Sequence, residues 1–226
     1  MGRQDSLLSM SKCTPIPWQS IAESGEVPVL LVRHGRTSAN VERRFAGKMD
    51  VPLDAHGRNE AALWATRMRH EEYVALYSSN LVRARETAAY LSEPVPVDSL
   101  QELDQGVLEG KRFEEIDPAL LPFFEAWKKD PTDVCVPEGE SLGACRDRAL
   151  QGLNTLLQAH EPGPPVIVVT HQMVMASLVL TALDLPLRFV HLVKHGNTAM
   201  DLLGWTPENG LRVHRLNDVE HLVSHQ

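Results

Sequence analysis

The sequence has few of the features that mark secreted, membrane-spanning or metal-binding proteins. Its 226 residues include only three cysteines, Cys13, Cys135 and Cys145, which are too few and too scattered for a disulfide framework or a zinc site. No apolar run approaches the roughly 20 residues that a membrane-spanning helix needs. The histidines show none of the His-Glu-x-x-His spacing of zinc enzymes. These absences predict a cytoplasmic protein that uses no membrane, metal or other cofactor.

Positive charge is also scarce. Lysine and arginine total 22 against 30 aspartates and glutamates, which gives a formal net charge of −8. A protein that binds the nucleic-acid backbone needs a basic face, so no nucleic-acid partner is expected. The arginines gather instead beside the motifs described below, which favours a small anionic ligand drawn into a local positive site.

The chain has no repeat, low-complexity tract or internal linker, and a hydrophobic content of 43% suits one folded domain. Residues 1–26 are polar and predict a partly ordered leader, which Trp18 and Ile21 are expected to attach to a single domain over residues 27–226. The oligomeric state stays open between monomer and homodimer.

Short apolar runs alternate with helical patterns along the chain. Strands are predicted at residues 27–32, 75–78, 95–97, 166–170, 198–203 and 211–216, the last two as a hairpin. Helices are predicted at residues 58–70, 81–91 and 141–160, and from residue 173 onward. This alternation predicts an α/β fold, a three-layer α/β/α sandwich with a mostly parallel central sheet.

Two histidines occupy the same position relative to two predicted strands. Arg33, His34 and Gly35 follow the apolar residues 29–32, and His171 follows residues 166–170. A single histidine at a strand end is more often a hydrogen-bonded loop residue than a catalyst. Open α/β sheets, however, build their sites beyond the carboxyl ends of their strands, so both imidazoles are predicted to face one crevice. The neighbouring arginines indicate an anionic substrate.

The order of motifs along the chain resembles the histidine phosphatase superfamily, which includes phosphoglycerate mutases and many small-molecule phosphatases. The resemblance begins at residues 31–40, Leu-Val-Arg-His-Gly-Arg-Thr-Ser-Ala-Asn. Further blocks follow in the family's order at residues 45–47, 50–53, 57, 78–84, 87–88, 100–102, 106 and 109–110. The resemblance spans residues 27–222 and implies a phosphoglycerate mutase-like α/β/α fold.

The resemblance also implies a role for each motif residue. His34 is the implied nucleophile, and Glu102, in the pattern Leu-x-Glu, is the implied proton donor. The implied phosphate-binding residues are Arg33, Asn40, Arg83 and His171. His171 is also an implied catalytic residue, which stabilises the charged equatorial oxygens during transfer. Arginine suits this task because its planar guanidinium offers paired donors to phosphate oxygens and stays charged.

Some positions leave alternatives open. Composition alone does not choose among Glu102, Asp104 and Glu109 as the acid, so Glu102 rests on the resemblance. Gln172 stands where the family usually has glycine, and it is either a helix-opening polar residue or a substrate contact. Arg36 stands where many members have an acidic or neutral residue, and it either adds charge beside the pocket or is solvated.

Two further segments bear on substrate choice. Arg43, Arg44 and Lys48 lie in one loop, where they either meet a second anionic group or form an ordinary surface; the surface is slightly favoured. Residues 113–136 are irregular and predict a lid-like insertion that selects the substrate. Its aromatic residues either line an apolar lid or pack the lid onto the body: Phe113, Phe123, Phe124 and Trp127.

The interval between Glu102 and His171 shows no sign of the longer insert, rich in arginine and proline, of the phosphoglycerate mutases that resemble this chain. Hydrolysis is therefore favoured over transfer back to a substrate, because a mutase must shield its phosphohistidine from water. We predict a metal-independent phosphomonoester hydrolase that acts on a small phosphorylated metabolite. The alternatives are a phosphoglycerate mutase-type phosphotransferase and a non-catalytic binding protein on the same fold.

Overall fold

The computed structural model describes residues 13–223, in which six strands form one sheet. The strands are β1 (Val27–Arg33), β2 (Ala75–Ser79), β3 (Val95–Val97), β4 (Val166–Thr170), β5 (Met200–Thr206) and β6 (Gly210–Asp218). Their order across the sheet is β3-β2-β4-β1-β5-β6. The pairs β1 with β4, β2 with β4 and β2 with β3 are parallel, whereas β5 pairs antiparallel with β1 and with β6. The predicted mostly parallel sheet and its terminal hairpin are confirmed.

Eight α-helices accompany the sheet within residues 13–223. They are α1 (Trp18–Glu23), α2 (Ser38–Glu42), α3 (Ala55–Met68), α4 (Val82–Ala89), α5 (Leu121–Lys129), α6 (Leu142–Leu157), α7 (Gln172–Ala182) and α8 (Glu220–Val223). Short 3-10 helices cover Asp98–Leu100, Gly106–Leu108, Phe113–Glu115, Pro118–Leu120 and Leu187–Leu192. None of the helices described is long and apolar enough to cross a membrane.

The alternation of side chains along β1 divides the core into two layers. Val29 and Leu31 pack on one face of the sheet with residues of α6 and α7. Leu30 and Val32 pack on the other face with residues of α1, α3 and α4. Because consecutive strand residues point to opposite faces, an uninterrupted apolar strand is buried on both sides. This arrangement is the predicted three-layer sandwich.

Part of the predicted leader packs on the second of these core faces. Ile16, Trp18 and Ile21 are buried there. Trp18 and Ile21 are the two residues expected to attach the segment to the body. Residues 1–12, the first part of the predicted leader, lie outside the described residues.

Most predicted boundaries differ from the structure by one to three residues, and two of these differences have a clear local reason. The helix predicted from residue 58 begins at Ala55, because Asp54 caps it by accepting a hydrogen bond from Gly57 N at 2.7 Å. The strand predicted from residue 198 begins at Met200. Thr198 has a φ of 55°, a left-handed conformation that a strand does not accommodate.

Candidate active site

The two histidines meet because β1 and β4 are parallel neighbours in matched register. Arg33 lies opposite Thr170, so His34 and His171 both follow the carboxyl end of their strands. His34 N donates to Thr170 O at 3.0 Å, which continues the pairing one residue further. The two imidazole centroids are 5.2 Å apart and the rings are tilted by 56°. The crevice predicted from the two apolar runs is therefore present.

The hydrogen bond of His34 fixes which ring nitrogen is free. Nδ1 lies 2.7 Å from Gly35 O, and because a carbonyl oxygen only accepts, Nδ1 carries the proton. The Nε2 lone pair is then available for attack. The residue is only 4% exposed, and burial together with the charges of Arg83 and Arg33 holds the His34 pKa well below its usual value. The imidazole is thus neutral at physiological pH.

His171 is fully buried, and neither ring nitrogen has a hydrogen-bond partner in residues 13–223. Burial, then the charge of Arg83 and that of His34, lower its pKa well below the usual value. A buried polar atom without a partner costs free energy, and such atoms gather where a ligand completes the site. The single N–H of the neutral His171 ring is therefore available to donate to a bound anion.

Two arginines converge on the histidine pair, and backbone carbonyls fix their positions. Arg83, the second residue of α4, is 1% exposed and donates from Nη1 to Met49 O and from Nη2 to Gly47 O, each at 2.7 Å. Arg33 donates from Nη1 to His195 O at 2.7 Å. Carbonyl partners orient a guanidinium without neutralising its charge, so both remain able to bind an anion.

Glu102 follows the 3-10 helix Asp98–Leu100 in the chain, and its side chain contacts the start of α7. Its Oε1 accepts from Leu103 N at 2.9 Å and from Met173 N at 3.2 Å, and Met173 is two residues after His171. Burial raises the pKa of this carboxyl, an effect that outweighs the opposing hydrogen bonds and arginine charges. A carboxyl whose pKa is raised, close to the turn that carries His171, is suited to act as an acid.

The structure separates the three carboxylates that composition left open. Asp104 Oδ2 pairs with Lys48 Nζ at 3.0 Å. Glu109 Oε1 accepts from Lys48 N at 2.7 Å. Glu102 alone of the three is bonded to the turn that carries His171, so its geometry agrees with the choice made from the resemblance.

Hydrogen bonds from Arg148 fix the position of the backbone on both sides of Glu102. Arg148, on α6, donates to the carbonyls of Ser99, Gln101 and Glu102 at 2.7–2.8 Å. The same guanidinium donates to Glu140 Oε1 at 2.6 Å, and that oxygen accepts from Asp104 N at 2.9 Å. The two peptide groups that flank Glu102 are thereby hydrogen-bonded to the ion pair of Arg148 with Glu140.

We expect Arg148→Met to lower kcat on an alkyl phosphate by about tenfold to a hundredfold, because a proton donor displaced by about 1 Å transfers poorly. The loss on p-nitrophenyl phosphate, whose leaving group needs little protonation, is expected to be smaller. Arg146→Met on the same helix is the matched control and should leave both rates unchanged. Equal losses on the two substrates would show instead that Arg148 only supports the fold.

Gly35 lets the backbone after β1 pack closely against the backbone at the start of α3. A Cβ at this position would lie 2.6 Å from Gly57 O, at the start of α3. Gly35 N also donates to Thr87 Oγ1 at 2.9 Å. The glycine therefore lets the loop after β1 pack against α3 and α4, which fixes His34 beside Arg83.

Asn40 and Arg36 have partners within the protein. Asn40 Oδ1 accepts from Thr37 N at 3.0 Å in a capping box at the start of α2, and its Nδ2 makes none of the hydrogen bonds described. Arg36 Nε donates to Asp54 Oδ2 at 2.8 Å. Phosphate binding by Asn40 and a substrate contact by Arg36 stay predictions, and the ion pair with Asp54 supports the solvated surface role for Arg36.

Gln172 holds the loop that in turn holds Arg33. Its Nε2 donates to Val193 O at 2.8 Å, and its Oε1 accepts from His195 N at 3.0 Å. His195 O is the acceptor for Arg33, and His195 Nε2 lies 2.7 Å from the fully buried Asp201 Oδ2. Gln172 is also the first residue of α7, as expected of a helix-opening polar residue, and its role as a substrate contact stays a prediction. Its contacts with Val193 and His195 were not predicted, because these partners lie more than twenty residues further along the chain.

One neighbouring residue was not identified from the sequence. Asn197 Nδ2 donates to His34 O at 3.0 Å, so the segment His195 to Asn197 contacts both Arg33 and His34. The sequence shows a histidine-glycine pair at His195 and Gly196, but no local pattern there indicates these partners.

The aromatic residues of the predicted lid pack against one another. The ring of Phe124 contacts Phe113 at 5.2 Å, Phe123 at 5.0 Å and Phe45 at 6.3 Å between centroids. Trp127 packs against buried core residues. Most of these ring contacts lie within the segment itself, and Phe45 and the core contacts of Trp127 join it to the body. Selection of the substrate by this segment stays a prediction.

Two of the three basic residues in the loop after α2 form ion pairs with carboxylates. Arg44 bonds to Glu42 at 2.7 Å and to Glu115 at 2.9 Å, while Lys48 pairs with Asp104. These ion pairs favour the ordinary surface over a second anion site in this loop. Within residues 13–223, no group of three or more histidine, cysteine, aspartate or glutamate side chains is placed to hold a metal ion.

The chain matches known proteins along most of its length. Residues 29–219 match the model of the histidine phosphatase superfamily (branch 1). The probable phosphoglycerate mutase GpmB of Shigella boydii serotype 18 is 31% identical over 210 residues, which cover 86% of this chain and 94% of that protein. The structure of Bacillus stearothermophilus YhfR matches with a TM-score of 0.80 at 29% identity, over 87% of this chain and 99% of that one.

A second solved structure of similar identity is the mycobacterial glucosyl-3-phosphoglycerate phosphatase in complex with VO3. It matches with a TM-score of 0.74 at 29% identity, over 84% of this chain and 98% of that one. The similarity therefore covers the sheet, its flanking helices and the loops that carry the histidine pair.

Proposed function

The chain belongs to branch 1 of the histidine phosphatase superfamily, and on this premise we propose that it hydrolyses small phosphomonoesters through a phosphohistidine formed on His34. Membership of the superfamily is compatible with a phosphatase and with a mutase. The observation that carries the proposal is the state of His34: neutral, buried, and held through Nδ1 so that Nε2 is free between two arginines and a second histidine.

In the first step, His34 Nε2 attacks phosphorus while the bond from phosphorus to the ester oxygen breaks. Arg33, Arg83 and His171 stabilise the charge on the three non-bridging oxygens. The ester oxygen leaves as an alkoxide and takes the proton that Glu102 holds. The products of this step are the free alcohol, a phosphohistidine and the Glu102 carboxylate.

In the second step, water attacks the phosphohistidine from the side that the alcohol has left. The Glu102 carboxylate takes a proton from this water as the bond from phosphorus to Nε2 breaks. Inorganic phosphate is released, His34 is neutral again and Glu102 is again protonated. One buried carboxyl with a raised pKa thus serves as acid and then as base.

Two arguments support hydrolysis over a mutase reaction. The interval between Glu102 and His171 lacks the long insert expected of a mutase, so less of the chain is available to keep water from a phosphohistidine. A solved phosphatase of 29% identity also shares the fold over nearly its whole length. The mutase remains the second candidate because curated relatives, such as that of Shigella boydii, carry the name phosphoglycerate mutase.

The test is phosphate release from a panel of phosphomonoesters by purified protein in the presence of a chelator. We expect release to continue at an unchanged rate, because two arginines and two histidines supply the charge stabilisation that a metal supplies elsewhere. In parallel, 2- and 3-phosphoglycerate are incubated with catalytic 2,3-bisphosphoglycerate. Interconversion of the isomers without phosphate release would overturn hydrolysis in favour of the mutase, and loss of release in chelator would overturn metal independence.

A further inference from the structure

A cavity of about 460 Å³ is lined by Arg33, the residue before His34, and by Gln172, the residue after His171. Six of its lining residues matter here: Arg33, Gln172, Met173, Val190, His191 and Lys194. Its volume lies within the range of small-molecule sites. Because Arg33 is also a proposed phosphate ligand, a substrate with its phosphoryl group at His34 can extend into this cavity.

The charged side chains that line this cavity are positive. Arg33 and Lys194 are cations, and no aspartate or glutamate is among the described residues that line the cavity. Lys194 is exposed and forms no ion pair within residues 13–223. This contrasts with Arg44 and Lys48 of the loop after α2, which are bonded to carboxylates. Lys194 therefore places an unneutralised positive charge on the 187–195 segment, in the same cavity wall as Arg33.

The segment that carries Lys194 is held from two sides. Val190 is buried in a core cluster with Leu142 and residues of α7. Next to Lys194 itself, the side-chain amide of Gln172 bonds to the backbone of Val193 and His195, the residues on either side. A wall fixed before the ligand arrives loses little conformational entropy on binding, so its charge is available at low cost.

We propose that this cavity is a second anion subsite, in which Lys194 and Arg33 bind an anionic group on the leaving portion of the substrate. The proposal deepens the proposed function and rests on it: the preferred substrates are phosphomonoesters whose alcohol carries a carboxylate or a second phosphate. Gln172 is a positioning residue for this subsite, because it holds the backbone on both sides of Lys194 without lending it charge.

The experiment compares three esters of the same carbon chain: propyl phosphate, 3-phosphonooxypropanoate and propane-1,3-diyl bisphosphate. For the wild type we expect kcat/KM to be about tenfold higher for the charged esters than for propyl phosphate, the scale of a partly desolvated ion pair. This advantage should shrink as salt is added, since exposed charges are screened. The comparison of carboxylate with bisphosphate identifies which anion the subsite prefers.

Lys194→Ala is expected to reduce the advantage of the charged esters by about threefold to tenfold while changing the rate on propyl phosphate less than twofold. Arg69→Ala, an exposed cation just after α3, is the matched control and should change neither. Equal losses on all three esters, or no preference for charged esters in the wild type, would overturn the subsite.

Failure of the subsite and failure of the proposed function are distinguishable. Hydrolysis of propyl phosphate tests the phosphatase without any contribution from the subsite. If no ester is hydrolysed, titration calorimetry with the same three compounds still decides the question. Tighter binding of the charged esters that depends on Lys194 would support the subsite, and equal binding of all three would overturn it.

Discussion

Replacing His34 with alanine is expected to reduce phosphate release from every phosphomonoester by about 10⁴-fold or more, the scale seen when a nucleophile is removed. The reason is geometric as well as chemical. His34 is the histidine whose Nδ1 is bonded to a carbonyl, which leaves Nε2 as an unprotonated nucleophile. His171 cannot replace it, because no hydrogen bond in the described chain fixes its tautomer.

The measurement is turnover together with trapping of the intermediate. Wild-type protein is mixed with an ester that is radiolabelled at phosphorus, and the reaction is quenched in alkali. The protein should retain the label, and acid should then remove it, as expected of a phosphohistidine. His34→Ala should retain none. His70→Ala, an exposed histidine just after α3, is the control and should behave as the wild type. Full turnover or normal labelling in His34→Ala would refute the mechanism.

Glu102→Gln is expected to lower kcat on alkyl phosphates by about 10²- to 10³-fold, within the usual contribution of general acid catalysis. Glutamine has the same shape but carries no proton to give. Because p-nitrophenol leaves readily as an anion, the loss on p-nitrophenyl phosphate should be much smaller. The readout is the ratio of the two rates, which a general loss of folded protein does not change.

The same residue predicts the pH dependence. Burial raises the Glu102 pKa, so the carboxyl keeps its proton to a higher pH than an ordinary glutamate does. The rate on alkyl phosphates should therefore fall as the pH rises through this raised pKa. His34 has a lowered pKa and stays neutral well into the acid range, so it should not limit the rate there.

In Glu102→Gln this alkaline decline should disappear. Glu109→Gln is the informative comparison, because Glu109 was an alternative acid and its carboxylate instead holds Lys48 N. It should affect alkyl and p-nitrophenyl phosphate alike and keep the alkaline decline. If Glu109→Gln removed the decline and Glu102→Gln did not, the assignment of the acid would be wrong.

The sequence by itself determined the elements and the positions of the principal polar groups. Apolar runs at residues 29–32 and 166–170 predicted buried strands, and the polar residues directly after them, Arg33, His34 and His171, were recognisable for that reason. Such inferences succeed because strand burial and strand ends depend on a few adjacent residues, whose pattern is local. The family motifs then supplied Arg83 and Glu102, which no local pattern separates from neighbouring charged residues.

Tertiary structure alone decided the partners of the long polar side chains. The parallel register of β1 and β4 brings His34 and His171 to 5.2 Å. Arg36 and Lys48 were candidate substrate contacts by sequence, but the fold pairs them with Asp54 and Asp104. Hydrogen bonds and ion pairs of this kind join residues far apart in the chain, so no window of sequence contains both partners.

Gln172 and Lys194 show the same division. The sequence marked Gln172 as a departure from the family and gave Lys194 no distinction at all. Only the packing of the 187–195 segment against α7 gives Gln172 its backbone partners and leaves Lys194 facing a cavity without a carboxylate. Local hydrophobic pattern thus determined where the strands end and which groups stand there, and the fold determined which of those charges are neutralised and which remain for a ligand.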